Sequence, residues 1–425
     1  MDSKETFELA FTEPPGNLAG LPIEHLSLPT PHVSWGLTYE ESCAKHLEHT
    51  FHASRVYIIA SGSLARNTDR VDRLIKAIGE SKVVGVRNGI TPHTPWSEIL
   101  SIAAECRAAN ADSVVTLGAG SITDGAKIVL LCLANDITEP SQLARYSIES
   151  TEIPANVKEP TIPLINIPTT LSGGEYFSTG GGTEDSTHHK HGFIHSGMGS
   201  RLVILDAELS TLTPEYHWLS TGVRSIDHCV EALCSLGSTA KSDEYAENGL
   251  RMIVPSLMKC KKDPQDIPAR HKCQLAARFA MANLRAGIPL GGSHAIGHQL
   301  GPLGVPHGIT SCIMSPAVME YNIKYGSENP QIKARQDKVR DILWSEPEVA
   351  AALREAGLSD MSSLGQLLDA IIRALGLPRS LHEVQVGRDI FPALSKGALR
   401  DFWSPTNPVP LLREEQVQEI LEAVA

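Results

Sequence analysis

Four histidines stand at spacings that are useful for chemistry. His294 and His298 are four residues apart in a segment of helical pattern, so both rings lie on one face of the helix. His307 follows in a Pro-His-Gly sequence, where we predict a turn that folds back, and His228 lies in a separate helical stretch. Two histidines on one helix face and a third after a turn are typical of a metal site. Hydrogen-bonded histidines without a metal are the alternative interpretation.

A glycine-rich turn indicates a second kind of chemistry, the binding of an anion. The sequence Gly118-Ala119-Gly120-Ser121 follows an apolar strand pattern and opens a helical one, with Asp124 on the first turn. Glycines let the backbone approach an anion closely, and a helix N-terminus adds free N–H groups and the positive end of its dipole. The turn fits a pyrophosphate, although it is neither GxGxxG nor a Walker loop, and a tight turn without a ligand is the alternative.

A second loop leaves the end of another apolar strand and is rich in hydroxyl groups and glycines. It runs over residues 168–175, where Thr169, Thr170 and Ser172 offer hydroxyls to a nucleotide. Ligands of α/β proteins bind at the carboxyl ends of the strands. We therefore expect this loop and the glycine turn to form two sides of one site.

A polar stretch over residues 178–200 contains four more histidines: His188, His189, His191 and His195. Its glycine, serine and threonine content predicts a flexible loop rather than a metal cluster. Such a loop could close over a cleft between domains, where Lys190 and His191 would touch a substrate.

The elements that must position these residues change character along the chain. Five apolar runs predict buried strands, at residues 56–60, 83–86, 113–117, 163–167 and 202–205. Helical patterns lie between them, which is typical of a parallel sheet covered on both faces. After Asp206 only helical patterns continue. We predict a proline-rich extension over residues 1–32, an α/β domain over 33–210 and an all-helical domain over 211–425.

Composition excludes several classes of protein. The chain has 425 residues, with 37 basic and 49 acidic side chains, which gives a net charge of −12. This acidic balance argues against binding nucleic acid or an anionic membrane. No apolar run reaches the roughly 20 residues of a membrane span, and the N-terminal residues lack the apolar core of a signal peptide. Eight dispersed cysteines without a CxxC pair indicate reduced thiols. We therefore expect a cytoplasmic protein.

Four motifs together resemble those of the iron-containing alcohol dehydrogenase superfamily. Residues 118–127 are similar to its GGGSxxDxAK nucleotide loop, and residues 168–175 resemble its PTT-xx-G-xE loop. Residues 222–232 match its G-M-D-xxx-H-xxE-A helix, and residues 292–308 match its HxxxH…PHG signature. The motifs occur in the order of the family, and the resemblance covers residues 33–420.

The resemblance implies the fold and the cofactor. The fold is that of iron-type alcohol dehydrogenases, which is dehydroquinate synthase-like, with NAD(P)H bound between an α/β domain and a helical domain. An aspartate occupies the position of Ser61 in members strict for NAD, so we expect NADPH to be accepted here. The implied cofactor-binding residues are Ser61, Gly118, Ala119, Gly120, Ser121, Asp124, Thr169, Thr170 and Ser172.

One position departs from the metal-dependent members. Their Fe or Zn ligands are an aspartate and three histidines, and the aspartate position here is Arg224, while the histidines correspond to His228, His294 and His307. A permanent cation in place of the only anionic ligand repels a divalent ion. Asp227 is the sequence neighbour of His228 and points about 100° away from it around the helix. It is therefore expected to be a poor substitute for the missing aspartate ligand. We therefore favour a site without metal, with these three histidines as the ligands if a metal is bound.

A metal-free branch of the superfamily, the maleylacetate reductases, fits Arg224. A guanidinium can hold a carboxylate through two parallel hydrogen bonds, and these enzymes reduce a double bond in a dicarboxylate. The resemblance is to fungal members of this branch. An ion pair between Arg224 and Asp227 or Glu231 is the structural alternative.

These inferences predict hydride transfer from NAD(P)H to an unsaturated or carbonyl carbon of a small acidic substrate. His298 would donate the proton, and Arg224, His228, His294 and His307 would position the substrate. The alternatives are an Fe- or Zn-dependent alcohol dehydrogenase, a family member with non-redox cyclase or isomerase chemistry, and a binding protein. The expected partner is a carboxylate-bearing small molecule, and the resemblance favours a homodimer.

Overall fold

The computed structural model describes residues 4–16 and 29–425. Much of the extension predicted over residues 1–32, namely residues 1–3 and 17–28, lies outside the described residues. The chain divides into two compact units, which contain, of the described residues, 4–13 with 29–212 and 14–16 with 213–425. The sequence predicts a domain boundary near residue 210, and the units divide after Leu212.

The first unit, the α/β unit, is built on a seven-stranded sheet in the order β1-β2-β9-β6-β5-β3-β4. All neighbouring strands are parallel except β1 and β2. The strands of this sheet are β1 (Thr6–Leu9), β2 (His32–Trp35), β3 (Val56–Ala60), β4 (Val83–Asn88), β5 (Ser113–Gly118), β6 (Leu164–Pro168) and β9 (Leu202–Ile204).

The central strands are buried on both faces, as their continuous apolar runs predict. Alternate residues of β3 enter opposite cores: Tyr57 and Ile59 pack on one side, and Ile58 packs on the other. The helices of this unit are α1 (Tyr39–His49), α2 (Gly62–Asn67), α3 (Arg70–Ile78), α4 (Trp96–Ala108), α5 (Gly120–Ala134), α6 (Pro140–Ala144) and α7 (Ala207–Ser210).

Sequence reasoning missed the two strands at one edge of the sheet. Strand β1 lies within the stretch interpreted as an extension, yet it pairs antiparallel with β2. Phe7 stacks on the rings of His32 and His46, at 4.5 and 4.3 Å between centroids. Four-residue strands with polar residues carry too little apolar alternation to be recognised from sequence.

The polar stretch over residues 178–200 is not the flexible loop that we expected. It forms a hairpin of β7 (Thr179–Thr183) and β8 (Lys190–Ile194) with five paired positions. A Cβ at Gly182 would lie 3.1 Å from side-chain carbons of Ile99 and Ile128 and 3.2 Å from Trp96. The glycines therefore let the hairpin lie flat on α4 and α5, a close approach that composition does not reveal.

The second unit, the helical unit, contains ten α-helices among its described residues. They are α8 (Glu215–Cys234), α9 (Ala240–Lys262), α10 (Ile267–Arg285), α11 (Gly292–Leu300), α12 (His307–Tyr325), α13 (Pro330–Ser345), α14 (Pro347–Glu355), α15 (Leu364–Ala374), α16 (Phe391–Ala398) and α17 (Glu414–Glu422). In the described part of the chain, no helix is long and apolar enough to cross a membrane. The fold class predicted from the sequence is confirmed.

Candidate active site

The glycine turn after β5 has the geometry of an anion cradle. Gly118 has φ +157°, and a Cβ there would lie 2.8 Å from Ile122 Cδ1 and 3.2 Å from Ser61 Cβ. Only a residue without a side chain fits this turn. Gly118 therefore brings Ser61, at the end of β3, against the start of α5.

The start of α5 is open. Apart from its chain neighbours and its own helix backbone, no atom of the described residues lies within 4 Å of a Cβ built on Gly120, and Ala119 caps the helix without a side-chain hydrogen bond. A 15-residue helix that begins in this way directs N–H groups and the positive end of its dipole outward. These features fit the pyrophosphate of a dinucleotide.

The second predicted loop lies beside the first. The backbone N–H of Thr169 donates a hydrogen bond to the Gly118 carbonyl at 3.1 Å, because β5 and β6 are neighbours in the sheet. Gly118 and Thr169 are buried. The other predicted cofactor-binding residues are partly or fully exposed: Ser61, Ala119, Gly120, Ser121, Asp124, Thr170 and Ser172.

Two buried ionisable side chains, Lys127 on α5 and Glu175 at the end of the second loop, lie next to these loops. Lys127 is fully buried on α5, and its Nζ donates to the carbonyls of Gly174 and Thr179 at 2.6 and 2.7 Å. Burial raises the pKa of Glu175 to about 7, although the Lys127 charge opposes the shift. Lys127 therefore joins the second loop to the hairpin.

In the helical unit, the four predicted histidines form a row. His228 and His294 stack at 4.7 Å between ring centroids, with 27° between their planes. His298 follows at 6.3 Å from His294, and His307 at 6.2 Å from His298. The row runs from the buried His228 and His294 to the partly exposed His298 and the exposed His307. Helix α11 carries its two histidines on one face, as their spacing predicts.

A buried polar cluster holds the inner end of this row. His294 Nδ1 is hydrogen bonded to Glu231 Oε2 at 2.6 Å and lies 3.4 Å from Asp227 Oδ2. Ser293 donates its backbone N–H to Glu231 and its hydroxyl to Asp227, both at 2.8 Å. Asp227 therefore lies close to the His294 ring, while its expected weakness as a metal ligand stays a prediction.

Burial governs the charges in this cluster. It lowers the pKa of the His228 and His294 imidazoles well below their usual range, and the cation of Arg224 lowers both further. Burial also raises the pKa of Glu231 well above the usual range for a carboxyl group, and the Asp227 carboxylate adds to that shift. Burial therefore disfavours the charged form of both partners in the hydrogen bond between His294 and Glu231.

His298 is held by a residue that sequence reasoning missed. Its Nδ1 lies 2.8 Å from Oδ2 of Asp401, 103 residues further along the chain. Because an ionised carboxylate only accepts hydrogen bonds, Nδ1 carries the proton and Nε2 is left for another partner. The His298 side chain is 32% exposed and that of Asp401 is 8% exposed. No motif in the sequence connects the two residues.

Arg224 is buried, and the ion pair offered as its structural alternative is not formed. Its Nη1 donates to the Ser311 hydroxyl at 3.1 Å, and none of the ion pairs within 4.0 Å in the described chain includes Arg224. Burial lowers the pKa of this guanidinium, while the carboxylates of Asp227, Glu231 and Asp401 oppose the shift. Arg224 therefore has further N–H groups that can donate hydrogen bonds, near the carboxyl groups that contact the histidines.

The structure groups its possible metal ligands differently from the family's metal-ligand positions. His228 and His294 stack on each other, and Arg224 stands at the position of the family's anionic ligand. In the described residues, the group whose ligand atoms lie within 4.8 Å of one another is Asp227, Glu231 and His294 instead. Its 2.6 Å contact is shorter than the roughly 3.3 Å between ligands of a tetrahedral ion with 2.0–2.1 Å bonds. This group could hold a metal only after its hydrogen bonds rearrange.

A parallel-sheet unit followed by a helical unit, with these motifs in order, is the fold of iron-type alcohol dehydrogenases. Residues 37–207 match the model of the iron-containing alcohol dehydrogenase family, and residues 218–425 match that of the Fe-containing alcohol dehydrogenase family C-terminal domain. The chain belongs to this family and is an oxidoreductase.

Individual relatives agree with this assignment. The chain is 35% identical to the dehydrogenase FUM7 of Gibberella moniliformis over 93% of its length and 96% of that protein. It is 38% identical to the dehydrogenase ALT3 of Alternaria alternata over 86% of its length and 97% of that protein. Among solved structures, maleylacetate reductase of Rhizobium sp. strain MTP-10005 has a TM-score of 0.71 at 22% identity, covering 99% of this chain and 98% of that one.

Proposed function

We propose that the chain uses NAD(P)H to reduce an unsaturated or carbonyl carbon of a small carboxylate-bearing substrate, as a maleylacetate reductase does. The observation that carries the proposal is Arg224. A buried guanidinium that forms no ion pair within 4.0 Å among the described residues stands where metal-dependent relatives place an anionic ligand. A substrate carboxylate satisfies such a group with charge-assisted hydrogen bonds.

In this proposal the two units supply different functions. The turn at residues 118–121 and the start of α5 bind the pyrophosphate, and bound NAD(P)H supplies the hydride. Arg224 binds a carboxylate of the substrate. His298 donates a proton from Nε2 to the enolate or alkoxide that hydride addition leaves, and Asp401 holds the ring in orientation. His228, His294 and His307 line the substrate position.

The test is the oxidation of NAD(P)H, followed by its absorbance, with maleylacetate and with a panel of enones and aldehydes. We expect turnover with carboxylate-bearing members of the panel. The variant Arg224→Gln should raise KM for these substrates at least tenfold, while uncharged members of the panel change little. Equal KM values in wild type and variant for every substrate would refute the carboxylate role.

A metal-dependent alcohol dehydrogenase is the second candidate, favoured by the cluster of Asp227, Glu231 and His294. Metal analysis of protein purified without chelators separates the two. Stoichiometric Fe or Zn, lost together with activity in Glu231→Gln, would support this candidate. Activity that is insensitive to chelators would support the first one.

A further inference from the structure

A cavity of about 690 Å³ lies in the helical unit, between α12, α14, α15 and the residues that follow α17. Its volume is within the range of small-molecule sites. Apolar side chains form much of the wall, and alanines are frequent among them: Ala317, Ala352, Ala370 and Ala374 are examples. Among the described residues that line the cavity, none belongs to the candidate active site. The cavity is therefore a candidate for a second ligand site.

One cation in the wall of this cavity is buried. The Arg379 side chain is 5% exposed, and its Nε donates to Oδ1 of Asp369 at 2.6 Å. Its Nη1 donates to the backbone carbonyls of Cys312 and of Ile313, the latter at 3.1 Å. Among the described residues, Nη2 has no hydrogen-bond partner. Because buried polar groups are normally hydrogen bonded, this nitrogen fits an acceptor that a ligand supplies.

A proline in α12 explains why Arg379 is held in this position. Pro316 lies inside that helix and has no backbone N–H, so the Cys312 carbonyl, four residues earlier, loses its normal helical donor. The guanidinium supplies the missing hydrogen bond through Nη1. A Cβ on Gly365 would lie 2.7 Å from the Pro316 carbonyl oxygen, so α15 packs closely on α12 here. The guanidinium is therefore fixed between the backbone of α12 and the carboxylate of Asp369 on α15.

The charges around Arg379 leave one positive charge in excess. Asp369 accepts hydrogen bonds from Nε of both Arg379 and Arg373, at 2.6 and 2.7 Å. One carboxylate therefore balances two guanidinium groups, and both of these groups line the cavity. A carboxylate on a ligand would compensate the excess and would accept a charge-assisted hydrogen bond from Nη2.

Two other carboxylates of the wall limit the ligand to a single negative charge. Glu320 and Glu355 line the cavity, and none of the ion pairs within 4.0 Å in the described chain includes either of them. Glu320 accepts a hydrogen bond from the hydroxyl of Ser363, the residue before α15, whereas Arg373 lies near the end of that helix. At 1.5 Å per residue, these two positions are about 15 Å apart along the helix. A second anionic group would therefore be repelled, whereas a hydrocarbon chain would contact alanines.

We propose that this cavity binds a small monocarboxylate with a hydrocarbon chain, such as a medium-chain fatty acid. The carboxylate accepts a hydrogen bond from Arg379 Nη2, and the chain lies against the alanine side chains of α14 and α15. The site goes beyond the proposed reaction, since it requires neither NAD(P)H nor Arg224.

The test is calorimetric titration of the full chain with octanoate, octan-1-ol, octylamine and suberate. Octanoate should bind about tenfold more tightly than octan-1-ol, the gain expected from one charge-assisted hydrogen bond. Suberate has a second carboxylate and should bind more weakly than octanoate, as should the cationic octylamine. Binding of octan-1-ol, octylamine or suberate as tight as that of octanoate would overturn the proposal.

Three variants locate the binding site. Arg379→Gln keeps a donor for the carbonyls of α12 but removes the charge, so it should abolish the preference for octanoate over octan-1-ol. Ala370→Leu leaves Arg379 unchanged and fills part of the cavity, so both ligands should bind about tenfold more weakly. The matched control is Ala351→Leu, at an exposed position of α14 outside the cavity, which should bind both ligands as wild type does.

The active site is the other place where a carboxylate would find a buried arginine, through Arg224. Arg224→Gln should keep the wild-type affinity for octanoate, and loss of octanoate binding in this variant would place the ligand in the active site instead. Thermal unfolding checks that each variant is folded. If Arg379→Gln does not fold, the comparison of Ala370→Leu with Ala351→Leu still tests the proposal, because equal octanoate affinity in these two variants would overturn it.

Discussion

The nucleotide loops of the α/β unit and the histidine cluster of the helical unit are built in opposite ways. The loops use backbone groups and small residues close together in sequence, and most of their side chains are partly exposed. The cluster joins buried ionisable side chains of α8 and α11 with Ser311 and Asp401. Local motifs describe the first region, whereas contacts between distant segments define the second.

The difference predicts how each region responds to substitution. Removing one partner from a buried polar network leaves the other without compensation, so effects in the cluster should be large and should reach several residues. A substitution in the loops adds a side chain where the backbone would contact a ligand, so its effect should remain local.

The largest effect is expected at His298. Replacing it by Gln removes the proposed proton donor, and kcat should fall by about 10²–10⁴. Asp401→Asn should lower kcat less, because the imidazole remains but the amide no longer accepts as a carboxylate does. Steady-state kinetics with saturating NADPH measure both effects.

The control for this comparison is KM for the nucleotide, which His298→Gln should leave within twofold. Thermal unfolding should show that each variant is folded. A kcat within threefold of wild type in His298→Gln would remove His298 from the mechanism. A normal kcat in Asp401→Asn would show that Asp401 has only a structural role.

The second effect concerns the buried carboxyl group of Glu175, at the end of the second loop. Because the pKa of Glu175 is about 7 in the folded chain against 4.5 unfolded, stability from this group is complete below pH 4.5 and is lost as the pH rises through 7. Raising the pKa of this carboxyl group from 4.5 to about 7 corresponds to about 3 kcal/mol. The free energy of unfolding of Glu175→Gln, relative to that of wild type, should therefore rise by about this amount between pH 5 and pH 8.

Denaturant unfolding of wild type and Glu175→Gln at several pH values measures this gain. Glu208→Gln, at an exposed position on α7, is the matched control and should show no such gain. A difference between Glu175→Gln and wild type that does not vary with pH would show that Lys127 keeps Glu175 ionised in the folded chain.

The same contrast explains what the sequence could predict. The central strands, most helices and the turn at Gly118 follow from apolar runs and glycine positions, which act over a few residues. Strand β1, the contact between His298 and Asp401, and the approach of Asp227 to His294 depend on segments that meet only in the folded chain.

Within the loops, the third effect separates backbone strain from ligand contact. Gly118→Ala places a Cβ 2.8 Å from Ile122 Cδ1 at a positive φ. We expect a loss of stability on the order of 1–3 kcal/mol, measured by denaturant unfolding. Unchanged stability in Gly118→Ala would mean that the turn relaxes easily to accept a Cβ. The backbone at this turn would then not be rigid.

The smallest effect is expected at Gly120, and it isolates the ligand. Beyond its chain neighbours and its own helix backbone, a Cβ there meets no atom of the described residues within 4 Å. Alanine also favours a helix more than glycine does, so stability should not fall. The methyl group occupies the space proposed for the pyrophosphate, so NADPH should bind about tenfold more weakly, a loss of about 1.4 kcal/mol. Fluorescence titration of wild type, Gly120→Ala and Gly118→Ala measures it. Equal NADPH affinity in wild type and Gly120→Ala would place the pyrophosphate elsewhere, and the start of α5 would then be an ordinary strand–helix turn.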